Sequence, residues 1–552
     1  MTYEAKGRQR DVVDSTAPVL VVLGGAGTGK TTTAVAAARR HLEDADERLA
    51  LRRRTAHQSG RRTRLPASER VLFLSFSRTA VAQIIDRSSN VIGTLAPRLE
   101  VATFHGFAWR IINSFGPHHG YPQPLAVLSE AQRLVGGAQP GLTYNQLVPA
   151  AMELLGLEKV RDHYNDRYGL VICDEFQDTD DGEWQFLQQI APAAPRILLG
   201  DANQCIYAGF KHIDADARIA TAMRLPGADK IMLPPLSYRD PSGTLPTAAE
   251  AALRRDFTHD AIRMAAAAGR ISVTDYVDSQ GHAEVIDIAR RARKGGHTVS
   301  IFTHTNVATS GLSDALLADG LLHEQVGLTE AYGEALAAQL ALVKFALAIP
   351  DSRARRALAV YVQATERKGP RVVPLAQQML DPTTNPPLRN ALKRLAQDLR
   401  ASVGEGARPD VMRLAEVVTN AYSTVGAGRG QETWIQAARR TRVAFRRSGE
   451  DFFDAAAFEQ ELLQARDEAL VGAGTARRAS IQVMNLHQTK GREADTTILL
   501  LGNNEFHGSE GEPYPTGSKL LYVVMTRARQ RAHLVVPNLV HGLWRPLVAA
   551  LR

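Results

Sequence analysis

Cysteine is almost absent from this 552-residue chain: only Cys173 and Cys205 occur, and neither belongs to a C-x-x-C pair. That spacing gives no ground for a zinc site or an iron–sulfur cluster. Both cysteines sit in apolar segments, where buried thiols are expected rather than a disulfide. No apolar run approaches the roughly 18 residues of a membrane span. The polar N-terminus has no signal-peptide hydrophobic region. These two absences together point to a cytoplasmic protein without a membrane partner. No internal repeat and no long low-complexity tract is present, which excludes solenoid and fibrous architectures. His118 and His119 stand side by side in a Pro/Gly loop without cysteine or acid nearby, the pattern of a loop rather than a metal centre.

What is present is the composition of an ordinary folded protein, 44% hydrophobic and 22% charged. At about 150 residues per domain, the length gives three or four domains. Net charge is +8, and arginine outnumbers lysine. A basic balance permits a polyanionic partner and is equally compatible with a basic surface of no function.

The chain is organised around Val19–Thr33, VLVVLGGAGTGKTTT. The apolar run Val19–Leu23 predicts a buried strand. Gly24, Gly25, Ala26, Gly27, Thr28 and Gly29 make a loop of small residues, and Lys30, Thr31 and Thr32 open an Ala-rich helix. Strand, G-x-x-x-x-G-K-T, helix is a P-loop in its required context. Glycines let backbone N–H groups turn inward onto phosphate oxygens, and the helix N-terminus adds a favourable dipole. Lys30 is expected to reach the β- and γ-phosphates of ATP and Thr31 to hold Mg²⁺. A second element, GLVICDEFQDT at 169–179, is an apolar strand ending in two acids. Asp174 is expected to position Mg²⁺ and Glu175 to orient the attacking water. Two carboxylates at the end of a buried strand are costly unless they serve a cation.

Further buried strands are predicted at Val71–Phe76 and in RILLGDANQCIY at 196–207, giving at least four before residue 210. Alternation with helical patterns argues a parallel sheet covered on both faces. Residues 41–70 carry LRRRT and GRRTR and read as an exposed loop or arm, solvated or phosphate-binding. From about 325 to 475 the pattern is helical and Ala/Leu-rich. It contains an arginine cluster at 439, 440, 442, 446 and 447, read as a solvated helix face or a duplex contact. Strands return at 480–484, 497–501 and 533–536.

Taken in order, these stretches resemble a superfamily 1 helicase of the UvrD/Rep/PcrA type. They are Gln9, GGAGTGKT at 24–31, SFSRTA at 75–80, TFHG at 103–106, DEFQDT at 174–179, GDANQCIY at 200–207, SYR at 237–239, LHQTKGRE at 486–493 and LYVVMTRAR at 521–529. The resemblance implies two RecA-like α/β lobes of parallel sheet flanked by helices, each with a mostly helical insertion. The first lobe is expected from 1–112 and 168–230, with its insertion at 113–167. The second is expected from 231–324 and 476–552, with its insertion at 325–475.

By the same resemblance Gln9 reads the adenine edge and Tyr238 stacks on the base. Glu493 binds the ribose, and Gln204 couples the γ-phosphate to the strand-binding face. Arg239 and Arg527 contact the γ-phosphate from the second lobe. Phe76, Thr103, Phe104, His105 and His487 face single-stranded DNA, with Phe210 standing in for a tryptophan the family usually carries nearby. The implied activity is Mg²⁺-dependent ATP hydrolysis driving 3′-to-5′ movement on single-stranded DNA, with unwinding at single-strand/duplex junctions, in DNA repair, recombination or antiphage defence. Two other classes fit: a remodeller that strips proteins from DNA without unwinding, and an ATP-switched subunit of a larger complex. Thr32 stands where the family usually has arginine, and Asn485 where it has threonine. The insertion at 325–475 lacks the usual duplex-contacting signatures. Some 25 residues follow the last motif, so no nuclease or partner-binding extension is expected.

Overall fold

A computed structural model describes residues 4–552 except 60–68, 77–80, 82–83, 86–87, 89, 124, 137–140, 206–212, 278–279, 327–328, 350–352, 367–370, 404–409, 426–429, 449–452, 472–479, 490–491, 503–514, 539 and 541–543. Its strands in chain order begin with β1 (Val19–Leu23), β2 (Arg70–Ser75), β3 (Leu99–Thr103), β4 (Val127–Leu128) and β5 (Leu142–Thr143). Next come β6 (Tyr168–Cys173), β7 (Arg196–Gly200), β8 (Ala228–Met232), β9 (Ile271–Tyr276) and β10 (Val299–Thr303). The last are β11 (Glu324–Gln325), β12 (Ile481–Asn485), β13 (Ala494–Leu500) and β14 (Ala528–Pro537).

Two six-stranded sheets result, in the orders β3-β2-β6-β7-β1-β8 and β11-β12-β10-β13-β14-β9. Every pairing in both is parallel. A parallel sheet is buried on both faces, so its strands read as unbroken apolar runs. In the first sheet Val19, Val21, Leu72, Leu74 and Val171 face one core. Leu20, Val22, Val71, Phe73 and Ile172 face the other. The second sheet divides in the same way, with Phe302, Met484, Leu499 and Leu534 on one side and Ile301, Val483, Ile498 and Val535 on the other. The expected α/β class, with parallel sheets between helical layers, is what the chain adopts. Among the described residues no helix is long and apolar enough to cross a membrane. Cys173 and Cys205 are both buried.

Between β3 and β6 lies a small unit with three helices, Glu130–Val135, Tyr144–Leu155 and Glu158–Arg167, and the short parallel pair β4–β5. Between β11 and β12 lies a helical unit running from Thr329 to Val471 around its own core, with Trp434, Tyr361 and Tyr422 at its centre. The two units touch. Arg466 of the larger donates to the Val127 carbonyl (3.0 Å) and to Gln132 (2.8 Å) of the smaller. It also pairs with Glu334 at 3.1 Å and Asp467 at 2.8 Å.

Burial raises the Glu334 carboxyl above its usual range, and the Arg466 charge pulls it back. Removing the cation from such a cluster leaves an uncompensated buried carboxylate, which costs roughly 3–5 kcal/mol. Arg466→Ala is therefore expected to lower unfolding stability by about 3 kcal/mol at pH 8. Glu334 is already raised and rises further without Arg466, so protonation relieves the cost as pH falls. The loss should be smaller at pH 5, measured by denaturant titration at both pH values.

Three sequence expectations need correction. Residues 41–59 are not a loop: the P-loop helix runs unbroken from Lys30 to Ser59. Its inward face is apolar through Ala34, Val35, Ala38, Leu42 and Ala45, and on the outer face the i,i+4 pairs Arg39–Glu43 (2.8 Å) and Arg40–Asp44 (3.1 Å) support it. GRRTR at 60–64 lies outside the described residues. The boundary expected between 230 and 231 falls inside β8, which pairs with β1 and belongs to the first sheet. Finally, β9 has no counterpart among the expected strands; it closes the edge of the second sheet against β14.

Candidate nucleotide site between the two sheets

The P-loop leaves the carboxyl end of β1, the end at which open parallel sheets bind ligands. Gly27 (φ 79°) and Gly29 (φ 85°) are left-handed, a conformation that glycine adopts without strain. A side chain at Gly27 would strike Ser237, and one at Gly29 would meet the Tyr238 ring at 3.3 Å. Lys30 is nearly buried, and its Nζ donates to the Gly24 (2.6 Å) and Gly25 (3.1 Å) carbonyls. Thr28 Oγ1 also donates to the Gly25 carbonyl, at 3.0 Å. The lysine is thus folded back onto the carbonyls of its own loop.

Strand β6 delivers the two acids. Thr31 Oγ1 donates to Asp174 Oδ2 at 3.2 Å. Thr32, one residue on, is half-buried. Burial, then the neighbouring Glu175, pushes the Asp174 carboxyl up to about 6, while Lys30 and Thr31 pull it down. A hydroxyl beside a buried carboxylate is a hard-oxygen donor pair suited to Mg²⁺. Glu175 stands in the left-handed region (φ 54°), uncommon for a residue with a side chain.

The opposite wall comes from the second sheet. Arg239 Nη2 donates to Glu493 Oε1 at 2.6 Å, and its Nη1 donates to the Thr526 carbonyl. Arg527 donates to Gln204 Oε1, and Gln204 Nε2 donates to Asp201 Oδ2 at 2.7 Å. Burial and the adjacent Arg239 charge lower the Arg527 guanidinium, while Glu175 and Glu493 hold it up. The Nε atoms of both arginines are buried and, among the described residues, have no hydrogen-bond partner. Tyr522 accepts the Ala26 N–H at 3.2 Å, so a second-sheet helix touches the P-loop backbone. Glu493, expected at a ribose, here joins Arg239 to Arg529 (3.3 Å).

At the outer end of the seam Gln9 is buried, with Nε2 on the Thr28 carbonyl at 3.4 Å. Tyr238 Oη donates to Gln9 Oε1 at 3.4 Å, and the Tyr238 backbone N–H donates to the Gly27 carbonyl at 2.8 Å. The residue is nonetheless 62% exposed, an aromatic side chain held at the loop's edge. A planar base could stack there.

The residues expected to face DNA divide. Phe104 is 1% exposed and packs on Phe76 (5.1 Å between centroids) and Phe186 (6.5 Å), so it is core. Thr103 is buried too, and its Oγ1 accepts the Gly106 N–H at 3.0 Å to cap the helix Phe104–Phe115. Helix phase explains both: Phe104, Phe107, Ala108 and Ile111 lie on the inward face. Phe76 is half-buried, and His105 stacks on Tyr144 with centroids 3.7 Å apart. Phe210 and the His487 side chain lie outside the described residues. Of the arginine cluster, Arg440 (3.1 Å) and Arg447 (3.2 Å) pair with Glu461. Sequence reasoning gave no role to Tyr522, Asp201 or Gln177. All three lie inside stretches it had quoted, but nothing local distinguishes them from packing residues.

A family model described as an AAA domain matches residues 9–210, which contain Gln9, the P-loop, both acids and Gln204. DNA helicase II of Escherichia coli (strain K12) is 24% identical over 302 residues, covering 44% of this chain and 39% of its own length. DNA helicase II of Salmonella typhimurium (strain LT2) matches at the same identity and coverage. The chain therefore spans less than half the length of the curated relatives it matches.

Proposed function

We propose that this chain, whose residues 9–210 match an AAA-domain family model and which is similar to DNA helicase II, is a UvrD-like superfamily 1 protein, a DNA-stimulated ATPase that moves along single-stranded DNA. The observation that carries the reading is the meeting of two distant cations with the P-loop. Arg239 stands against Gly27 of the P-loop, and Arg527 feels the charges of both Arg239 and Glu175; among the described residues the buried Nε of each has no hydrogen-bond partner. Phosphoryl transfer needs positive charge around the equatorial oxygens and little covalent chemistry from the protein.

In this reading ATP displaces the Gly24 and Gly25 carbonyls from Lys30, which then binds the β- and γ-phosphates. Gly24 to Gly29 supply backbone N–H donors, and Gln9 and Tyr238 hold the adenine. Arg239 leaves Glu493 for the γ-phosphate, freeing that carboxylate for the ribose. Mg²⁺, held by Thr31 and Asp174, would polarise the phosphate oxygens. Glu175 orients the attacking water, and Arg527 stabilises the charge that develops. Gln204, hydrogen-bonded to Arg527, reports the γ-phosphate to the face carrying Phe76 and His105. Closure with ATP and reopening after hydrolysis is a hinge motion. Alternate gripping of a strand converts it into movement, 3′ to 5′ by family resemblance, with unwinding where a duplex blocks the path.

The test is phosphate release with and without single-stranded DNA, beside strand separation on duplexes with 3′ or 5′ tails. Stimulation of about tenfold or more and unwinding only from the 3′ tail are expected. Stimulation without unwinding would point to a remodeller. A rate indifferent to DNA would overturn the motor reading in favour of an ATP-switched subunit.

A further inference from the structure

Gln177 sits in the middle of DEFQDT, fully buried, and all of its amide chemistry is spent on the site rather than on the surrounding fold. Its Nε2 donates to Glu175 Oε2 at 2.8 Å and to Asp178 Oδ2 at 3.0 Å. Its Oε1 accepts the Asp201 N–H at 3.2 Å. The amide orientation is therefore fixed. Carboxylates only accept and a backbone N–H only donates, so a flipped amide would lose all three bonds. The contact also explains the glycine that ends β7. A side chain at Gly200 would approach the Phe176 ring at 2.7 Å and Gln177 Oε1 at 3.1 Å.

From Asp201 the path continues. Its side chain accepts from Gln204 at 2.7 Å, and Gln204 accepts from Arg527. An unbroken hydrogen-bonded path thus runs from the Glu175 carboxylate to an arginine on the other side of the seam. At its near end Glu175 is in the left-handed region, with its own N–H on Asp174 Oδ1 at 3.1 Å. A glutamate in that conformation is held by its neighbours, and Gln177 supplies a bond to the carboxylate itself.

We propose that Gln177 is a positioning residue: it sets the orientation of the Glu175 carboxylate and ties it, through Asp201 and Gln204, to the position of Arg527. The inference rests on the ATPase reading above and deepens it. Lobe closure that moves Arg527 is felt at the water-orienting group, which gives DNA binding a physical route to the hydrolysis rate. A bonded path between two-position elements is the form such coupling takes.

The experiment compares wild type, Gln177→Met, Gln204→Met, the double variant and Glu175→Gln, measuring kcat and KM for ATP with and without single-stranded DNA, beside thermal melting. Methionine keeps the length and removes the donor. Gln177→Met is expected to lower DNA-stimulated kcat by about tenfold to a hundredfold with KM changed less than about twofold. The double variant should be no slower than the slower single variant, because both break one path. Unchanged kcat and stimulation in Gln177→Met, or single effects that multiply in the double variant, would overturn the proposal. If Gln177→Met does not fold, Gln177→Asn takes its place: the shorter amide cannot span Glu175 and Asp201, and unchanged stimulation there overturns the proposal equally. Failure of the ATPase reading looks different, as a wild type indifferent to DNA or a Glu175→Gln variant as active as wild type.

Discussion

Lys30→Ala is expected to lower the DNA-stimulated ATPase by about 10²–10³-fold, the loss seen when one preorganised charge-stabilising donor is removed. The ammonium lies against the Gly24 and Gly25 carbonyls, and its charge pulls on both Asp174 and Asp201. Stability should change little. The carboxyls that lose the counter-charge are already displaced upward and can take up a proton, Asp174 from about 6. The measurement is phosphate release at saturating DNA, with thermal melting to show that the variant is folded. A folded variant retaining more than about a tenth of the wild-type rate would remove Lys30 from the chemistry.

Arg527→Ala is expected to cost about 10³-fold in kcat, the lower end of what a charge-stabilising arginine contributes to phosphoryl transfer. Nucleotide affinity should persist, because the cradle, Gln9 and Lys30 all belong to the first wall. Arg527→Lys is expected to recover little, since a point charge cannot replace a planar donor that also holds Gln204. Single-turnover hydrolysis, beside binding of a fluorescent ATP analogue, separates the two effects. A variant that loses affinity but keeps kcat would place Arg527 in ground-state binding, and the idea of a second-wall arginine acting in the transition state would fall.

Legibility in the sequence followed burial. Strands β1, β2, β6 and β7 were readable because a strand covered on both faces must be apolar throughout. Strand β9, ISVTDY, lies at a sheet edge and mixes apolar with polar residues, so it lacks that signal. The helical course of 41–59 is hidden for the opposite reason: charge suggests a solvated arm, while its apolar inward positions are few, Leu42 and Ala45 among them. Phe104 was misplaced by the weight of its motif. Its helical phase with Phe107 and Ile111 carried the inward signal that the motif reading passed over.

The P-loop, the paired acids and the class of sheet that carries them are legible in the primary structure, because each is written in about a dozen adjacent residues whose local backbone is set by glycine, apolar runs and helix formers. The resemblance already implies Arg239 and Arg527 at the γ-phosphate; the folded molecule alone reveals that Gln177 joins Glu175 to Asp201, and that Tyr522 meets a P-loop residue 496 positions earlier. The first depends on β6 and β7 lying side by side in one sheet, the second on how the two sheets pack across the seam. No periodicity along the chain encodes that distance.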